Sequence, residues 1–182
     1  PKTMDVVRVL PELAESDPHL WLDPEGLAAI AMASRDAFTR ADPEHAADYS
    51  AAFEAFSARL AASSLRAGEI LRPFAGRAFV VHHAAFARFA QTFGLRQVAL
   101  EENEKEPSAA RIAEIAAQIR DEKIAVIYAQ PGHNPAPVEA IAHATGAAVR
   151  ELDALPSDPV EALEVRAKIL AEGFAANNAD VR

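Results

Sequence analysis

Four histidines and one aspartate stand where the chain could do metal chemistry. His19 lies in Asp17-Pro18-His19-Leu20-Trp21-Leu22-Asp23-Pro24, between two Asp/Pro pairs and beside the only tryptophan. His82 and His83 end a short apolar run, Ala78-Phe79-Val80-Val81. Asp153 follows a stretch that reads as a strand, Ala147 to Leu152, and His133 sits in the loop Gln130-Pro131-Gly132-His133-Asn134-Pro135. Neutral imidazole is the commonest protein metal ligand. Imidazole with carboxylate suits zinc, manganese or iron. Each residue also has a plainer role. Strand alternation sends His82 and His83 to opposite faces, so at most one of them points into a given site. Asp153 can cap its own turn. His45 and His143 read as helix-surface residues.

The elements that must position these residues follow from periodicity. Val6 to Leu10 reads as a short strand, and Pro11, Pro18 and Pro24 break any helix around it. From Glu25 to about Arg40, Leu27, Ile30, Ala31, Ala37 and Phe38 recur at helical spacing. Asp23 and Asp42 are both placed to cap a helix, Asp42 with Pro43 at the first helical position. Tyr49, Phe53, Phe56, Leu60, Ser64, Ala67 and Leu71 then form one continuous stripe. That predicts a helix from Pro43 to Leu71 of about 28 residues, roughly 42 Å long, long enough to bridge two lobes.

From residue 78 onward strands and helices alternate. The strands are Ala78 to His82, Arg96 to Leu100, Ile124 to Ala129 and Ala147 to Leu152. The helices are Ala85 to Phe93, Pro107 to about Asp121, Val138 to Thr145 (ended by Gly146) and Pro159 to Phe174. Such alternation predicts an α/β fold with a parallel sheet flanked by helices. Ligands of open parallel sheets bind beyond the carboxyl ends of the strands. Those ends are His82/His83, Leu100/Glu101, Ala129/Gln130 and Leu152/Asp153. The acidic stretch Glu101, Glu102, Glu104 and Glu106 reads as a solvated loop.

Composition narrows the function classes. A net charge of −9 offers no footprint for nucleic acid or an anionic membrane surface. The absence of cysteine excludes thiolate zinc sites, disulfide scaffolds and thiol nucleophiles. At 182 residues and 51% hydrophobic content, the chain can bury the core of one domain or a large lobe. No apolar run approaches a membrane span, and Pro1-Lys2-Thr3 does not open a signal peptide.

The phrase Asp17 to Pro24 resembles a signature of the metal-binding solute-binding proteins of zinc and manganese ABC transporters, the cluster A-I family that includes the zinc uptake proteins. The similarity continues in order. Val80-Val81-His82-His83-Ala84-Ala85-Phe86, with Phe89 and Phe93-Gly94-Leu95, is similar to the family's His-Asp-Ala-Phe-Gly-Tyr-Phe…Tyr-Gly-Leu segment. Glu106-Pro107-Ser108, Tyr128-Ala129-Gln130-Pro131 and Glu151-Leu152-Asp153-Ala154-Leu155 are similar to three further segments. The likeness covers about residues 5 to 174.

The resemblance implies His19, His83 and Asp153 as metal ligands, with His82, His133 and Gln130 as additional candidates beside them. It favours Zn²⁺ over Mn²⁺, because the family's manganese members tend to place glutamate where His83 stands. It implies a periplasmic or extracellular location, an ABC permease in the cytoplasmic membrane as partner, and no catalysis. It further implies a division into residues 1–42 from an N-terminal lobe, 43–72 as interlobe helix, and 73–182 as C-terminal α/β lobe. This chain departs from the pattern at Ala84 (aspartate in the family), Arg88 (commonly aromatic) and Gln130 (glutamate). The family's upstream ligand has no counterpart, so an N-terminally incomplete chain is expected. Two other readings start from the same residues. A His/His/Asp site with an open position could activate water in a hydrolase, against which no general base is evident near the strand ends other than Glu101. A metal-free module could associate through exposed apolar surface.

Overall fold

The computed structural model describes residues 5–15, 17–101 and 105–176. Two single-turn helices, α1 (Val6–Val9) and α2 (Pro11–Ala14), precede a 3₁₀ turn at Leu20–Leu22 and helix α3 (Pro24–Ala41). A second 3₁₀ turn, Pro43–His45, leads into the 26-residue α4 (Ala46–Leu71), and a third, Arg72–Phe74, leaves it. Then come β1 (Ala78–Val81), α5 (Ala87–Thr92), β2 (Arg96–Ala99), α6 (Ala109–Asp121), β3 (Val126–Ala129), α7 (Ala136–Thr145), β4 (Ala148–Glu151) and α8 (Pro159–Ala176).

The sheet is parallel throughout, in the order β2-β1-β3-β4. Val80 is the register point, paired with Val98 on one side and Ile127 on the other. Because the chain leaves β1 towards β2 and later returns to its other side with β3, the strand order reverses between β1 and β3. At such a switch point the loops diverge and open a crevice at the carboxyl edge. His82, His83 and the Gln130–Pro135 loop border it.

Strand alternation divides the core in two. Phe79, Val81, Val126 and Tyr128 face α4 and α8, meeting Leu60, Leu71, Leu163, Leu170 and Phe174. Ala78, Val80 and Ile127 face α6 and α7, meeting Ile115, Ile119, Val138 and Ile141. The stripe on α4 is buried unevenly. Leu60, Ser63, Ala67 and Leu71 are buried, whereas Tyr49, Phe53 and Phe56 are only half-buried beside α3. Ser63, not Ser64, takes the inward position, and its hydroxyl donates to the Val160 carbonyl at 2.7 Å.

Helix ends follow local chemistry. The Asp23 carboxylate accepts from Glu25 N–H, with a longer contact from Gly26, as expected for a cap. Gly146 ends α7 at φ +78°, where a side chain would be strained. Two expectations fail. The stretch read as a strand from Val6 to Leu10 is helical over Val6–Val9, because Asp5 takes Arg8 N–H on its side chain and Val9 N–H on its carbonyl. That local closure outweighs the β propensity of valine, which needs a neighbouring strand to act. Asp42 does not cap α4. Its carboxylate binds His45 Nδ1 at 2.9 Å and the Tyr49 hydroxyl at 2.8 Å, and the α-helix starts only at Ala46.

Candidate metal centre

The Asp17–Pro24 loop is held at several points. Leu20 and Leu22 are fully buried, each contributing about 1.5–3 kcal/mol of apolar burial. Trp21 Nε1 donates to the Ala154 carbonyl at 2.7 Å, which ties the loop to the end of β4. Arg88 on α5, with its side chain 14% exposed, donates to Asp23 at 2.5 Å and reaches Glu25 at 3.2 Å. The arginine that departs from the family pattern thus fastens the loop to α5, the helix that follows β1. Gly26 completes the seat. A Cβ there would lie 2.1 Å from the Leu20 carbonyl oxygen, so only glycine lets α3 start against the 3₁₀ turn.

Within this frame His19 is oriented by the residue two before it. Asp17 Oδ1 accepts from the His19 backbone N–H at 3.0 Å and lies 2.6 Å from Nδ1. Burial raises the Asp17 carboxyl, but the bonds from His19, with Arg88 farther off, more than offset this and hold it below the ordinary value. His83 is oriented in the same manner by a distant residue. Glu101, at the end of β2, places Oε2 2.5 Å from His83 Nδ1, and the Gln130 side-chain carbonyl accepts from His83 N–H at 2.6 Å.

With both Nδ1 atoms directed at carboxylates, each ring presents its Nε2 lone pair. Those two atoms face one another at 3.1 Å. Two lone pairs at that distance repel unless a cation or proton lies between them. Two nitrogens on a tetrahedral zinc, with bonds of about 2.0–2.1 Å, sit about 3.3 Å apart, close to what is seen. A carboxylate on the far nitrogen of a ligating imidazole sets its tautomer and raises its basicity.

The remaining candidates divide. His82 is buried, with Nε2 3.1 Å from Glu101 Oε1. His133 stacks on His83 with ring centroids 5.2 Å apart and lies 3.7 Å from the same Oε1. Burial lowers the His133 imidazole below its ordinary value, and His83 and His82 add to this while Glu101 opposes it. Gln130 is buried behind the pair. The Asp153 carboxylate is not among them. Its Oδ1 accepts from Leu155 N–H at 2.7 Å, the turn-capping role open to it from the start. His45 and His143 lie exposed on their helices.

Glu101 is the residue that loop composition concealed. It was expected in a solvated acidic stretch, yet its side chain is 14% exposed and its two oxygens face three imidazoles. Its position at a strand's carboxyl end was the available signal. Glu102 and Glu104 lie outside the described residues, and Glu106 is exposed.

Fold and site together define an α/β protein with imidazoles and carboxylates gathered at the switch point of a parallel sheet. Residues 2–170 match the family described as the periplasmic component A of the zinc-uptake complex, ZnuA, and the chain belongs to that family. It is similar to the high-affinity zinc uptake system protein ZnuA of Brucella abortus, 30% identical over 146 residues, covering 79% of this chain and 44% of the relative. It is also similar to the zinc-binding lipoprotein AdcA of Streptococcus pneumoniae, 31% identical and covering 79% of this chain and 29% of the relative. Among solved structures, a crystal structure of ZnuA superposes with a TM-score of 0.83 at 30% identity, covering 86% of this chain and 62% of the other. The laminin-binding protein Lmb of Streptococcus agalactiae gives a TM-score of 0.80 at 28% identity, with 87% and 64% covered. The chain therefore spans less than half the length of these curated relatives.

Proposed function

We propose that this chain carries part of the solute-binding component of an ABC metal-uptake transporter and captures Zn²⁺, with Mn²⁺ the weaker alternative. The observation that carries this reading is the His19–His83 pair, two Nε2 atoms 3.1 Å apart with each Nδ1 on a carboxylate. Imidazole is a preferred zinc donor, and manganese favours oxygen. Asp153 joins as the carboxylate ligand by leaving its turn on Leu155. It lies next to Ala154, whose carbonyl holds Trp21. The remaining position is left to water or a further donor.

The zinc-uptake and zinc-binding names of the relatives support zinc as the cargo and a membrane permease as the partner. The printed terms periplasmic and lipoprotein support a place outside the cytoplasmic membrane. No helix among the described residues is long and apolar enough to cross a membrane. In the lobe arrangement this reading entails, residues 1–42 belong to a first lobe, 43–72 form the connecting helix, and 73–182 form the second lobe. The half-buried Tyr49, Phe53 and Phe56 beside α3 fit a helix that runs out of the sheet's core. The chain acts as a carrier rather than a hydrolase. Glu101, the base such an enzyme would use, has both oxygens turned to imidazoles.

Calorimetric titration with Zn²⁺ tests the pair. His83→Ala is expected to cost more than the roughly 10- to 100-fold that follows from losing an orienting partner, and His45→Ala nothing. Equal effects would overturn the assignment.

A further inference from the structure

Arg166 on α8 carries a buried charge that neither the core nor the histidine pair employs. It is 2% exposed, and its two terminal nitrogens have no hydrogen-bond partner among the described residues. Its Nε donates to the Asp153 carbonyl at 3.1 Å. Its guanidinium carbon lies 5.8 Å from the centre of the Phe86 ring, three residues after His83. The charge is thus packed between the end of β4 and the turn that leaves β1. A buried charge without a partner is costly, and a nearby opposite charge relieves it.

Asp153 supplies that opposite charge. Burial pulls the Arg166 guanidinium down to about 10, and the Asp153 carboxylate works against that pull. Both residues line one groove of about 290 Å³. Two other carboxylates line it and are placed otherwise. Asp158 takes the Val160 and Glu161 N–H groups on one oxygen and Arg59 on the other, at 2.6 Å. Glu161 is exposed in the first turn of α8. Asp153 has only its turn, with Oδ1 on the Leu155 N–H.

We propose that Arg166 is a positioning residue for metal capture, whose buried positive charge holds the Asp153 carboxylate at rest on its turn and away from the ion. The inference rests on the ligand role given to Asp153 under the proposed function. Zinc has to draw the carboxylate out of the guanidinium's field before Asp153 can ligate. Whatever stabilises the resting arrangement lowers the fraction of chains ready to bind and weakens the apparent affinity by that fraction. The same field pulls the carboxylate back when the ion leaves, which suits a carrier that must hand over its cargo.

Calorimetric titration of the metal-free chain with Zn²⁺ tests this. Arg166→Gln removes the charge and keeps a side-chain donor, and Arg166→Met is a second neutral replacement. Exchanging a buried ion for a neutral side chain is often tolerated, as a melting curve verifies. Either folded variant is expected to bind zinc about fivefold tighter or more, and Arg166→Lys, which keeps the charge, to bind as wild type does. Unchanged or weaker binding in a folded neutral variant overturns the inference, since a residue that merely props the Asp153 turn would weaken binding when lost. An equal gain in Arg166→Lys overturns it as well. Asp153→Asn separates the inference from the reading beneath it. That variant should bind zinc more weakly, and adding Arg166→Gln to it should bring no gain. A gain that persists there means that the guanidinium does not act through Asp153. Unchanged affinity in Asp153→Asn alone overturns the ligand role of Asp153, and the inference with it.

Discussion

The two halves of the metal centre reach the same geometry by opposite means. His19 belongs to a loop, and its orienting carboxylate, Asp17, is two residues away. His83 belongs to a strand end, and its carboxylate, Glu101, comes from the neighbouring strand 18 residues later. The first half carries its own orientation but needs an external seat, provided by Gly26, Arg88, Ala154 and the buried Leu20 and Leu22. The second is seated by the sheet itself but depends on distant residues for its chemistry. A loop half can be unseated without touching the sheet, whereas the sheet half can be chemically disabled without moving.

Substitutions that act on one half alone sharpen this contrast. The largest effect belongs to Gly26→Ala. Its Cβ would meet the Leu20 carbonyl at 2.1 Å, so the 3₁₀ turn or the start of α3 must shift. Overpacking of this kind costs about 1–3 kcal/mol or more. Denaturant unfolding should show that loss, and zinc affinity should fall because His19 moves. Retained affinity would show that the loop half needs no seat. Glu101→Gln comes next. It keeps the shape but removes the charge that three imidazoles face, so zinc affinity should drop by about 10- to 100-fold with stability little changed.

Asp17→Asn is the mildest, since Asp17 serves one imidazole and the turn's backbone bonds remain; a loss near the lower end of that range is expected. It also has a pH signature. The Asp17 carboxyl is held below its ordinary value of 3.8 in the folded chain. Its stabilising contribution is therefore present above that value and lost as pH falls through the folded one. The stability gap between wild type and Asp17→Asn should be open at about pH 5 and narrow by about pH 3. A gap that does not change with pH would assign the Asp17–His19 bond no linkage to folding.

What was legible in the chain followed the same local-to-distant gradient. The four strands and their intervening helices emerged from hydrophobic period, and the caps at Asp23 and Gly146 from single residue types. The Asp17–His19 pair lay in one phrase. Glu101 and His133 were not assembled into one place, because their meeting depends on the order β2-β1-β3-β4, which no local pattern states. The acidic composition around Glu101 pointed to solvent, and burial at a strand end prevailed. Asp153 shows the converse. Its turn with Leu155 is a local bond already made, so ligation must compete with it. Val6 to Leu10 failed for a related reason: β-branched residues describe a strand only where a neighbour exists to pair with it.

Trp21, introduced as an anchor of the loop, has an optical consequence. It is the only tryptophan in the chain. Its indole meets the His19 ring edge-on with centroids 5.4 Å apart, while its N–H is held by Ala154. Any charge arriving on His19 changes the field across an indole that cannot rotate away. The chain's intrinsic emission is therefore a signal from one place only, and the occupancy of its loop half can be followed without a dye or a label.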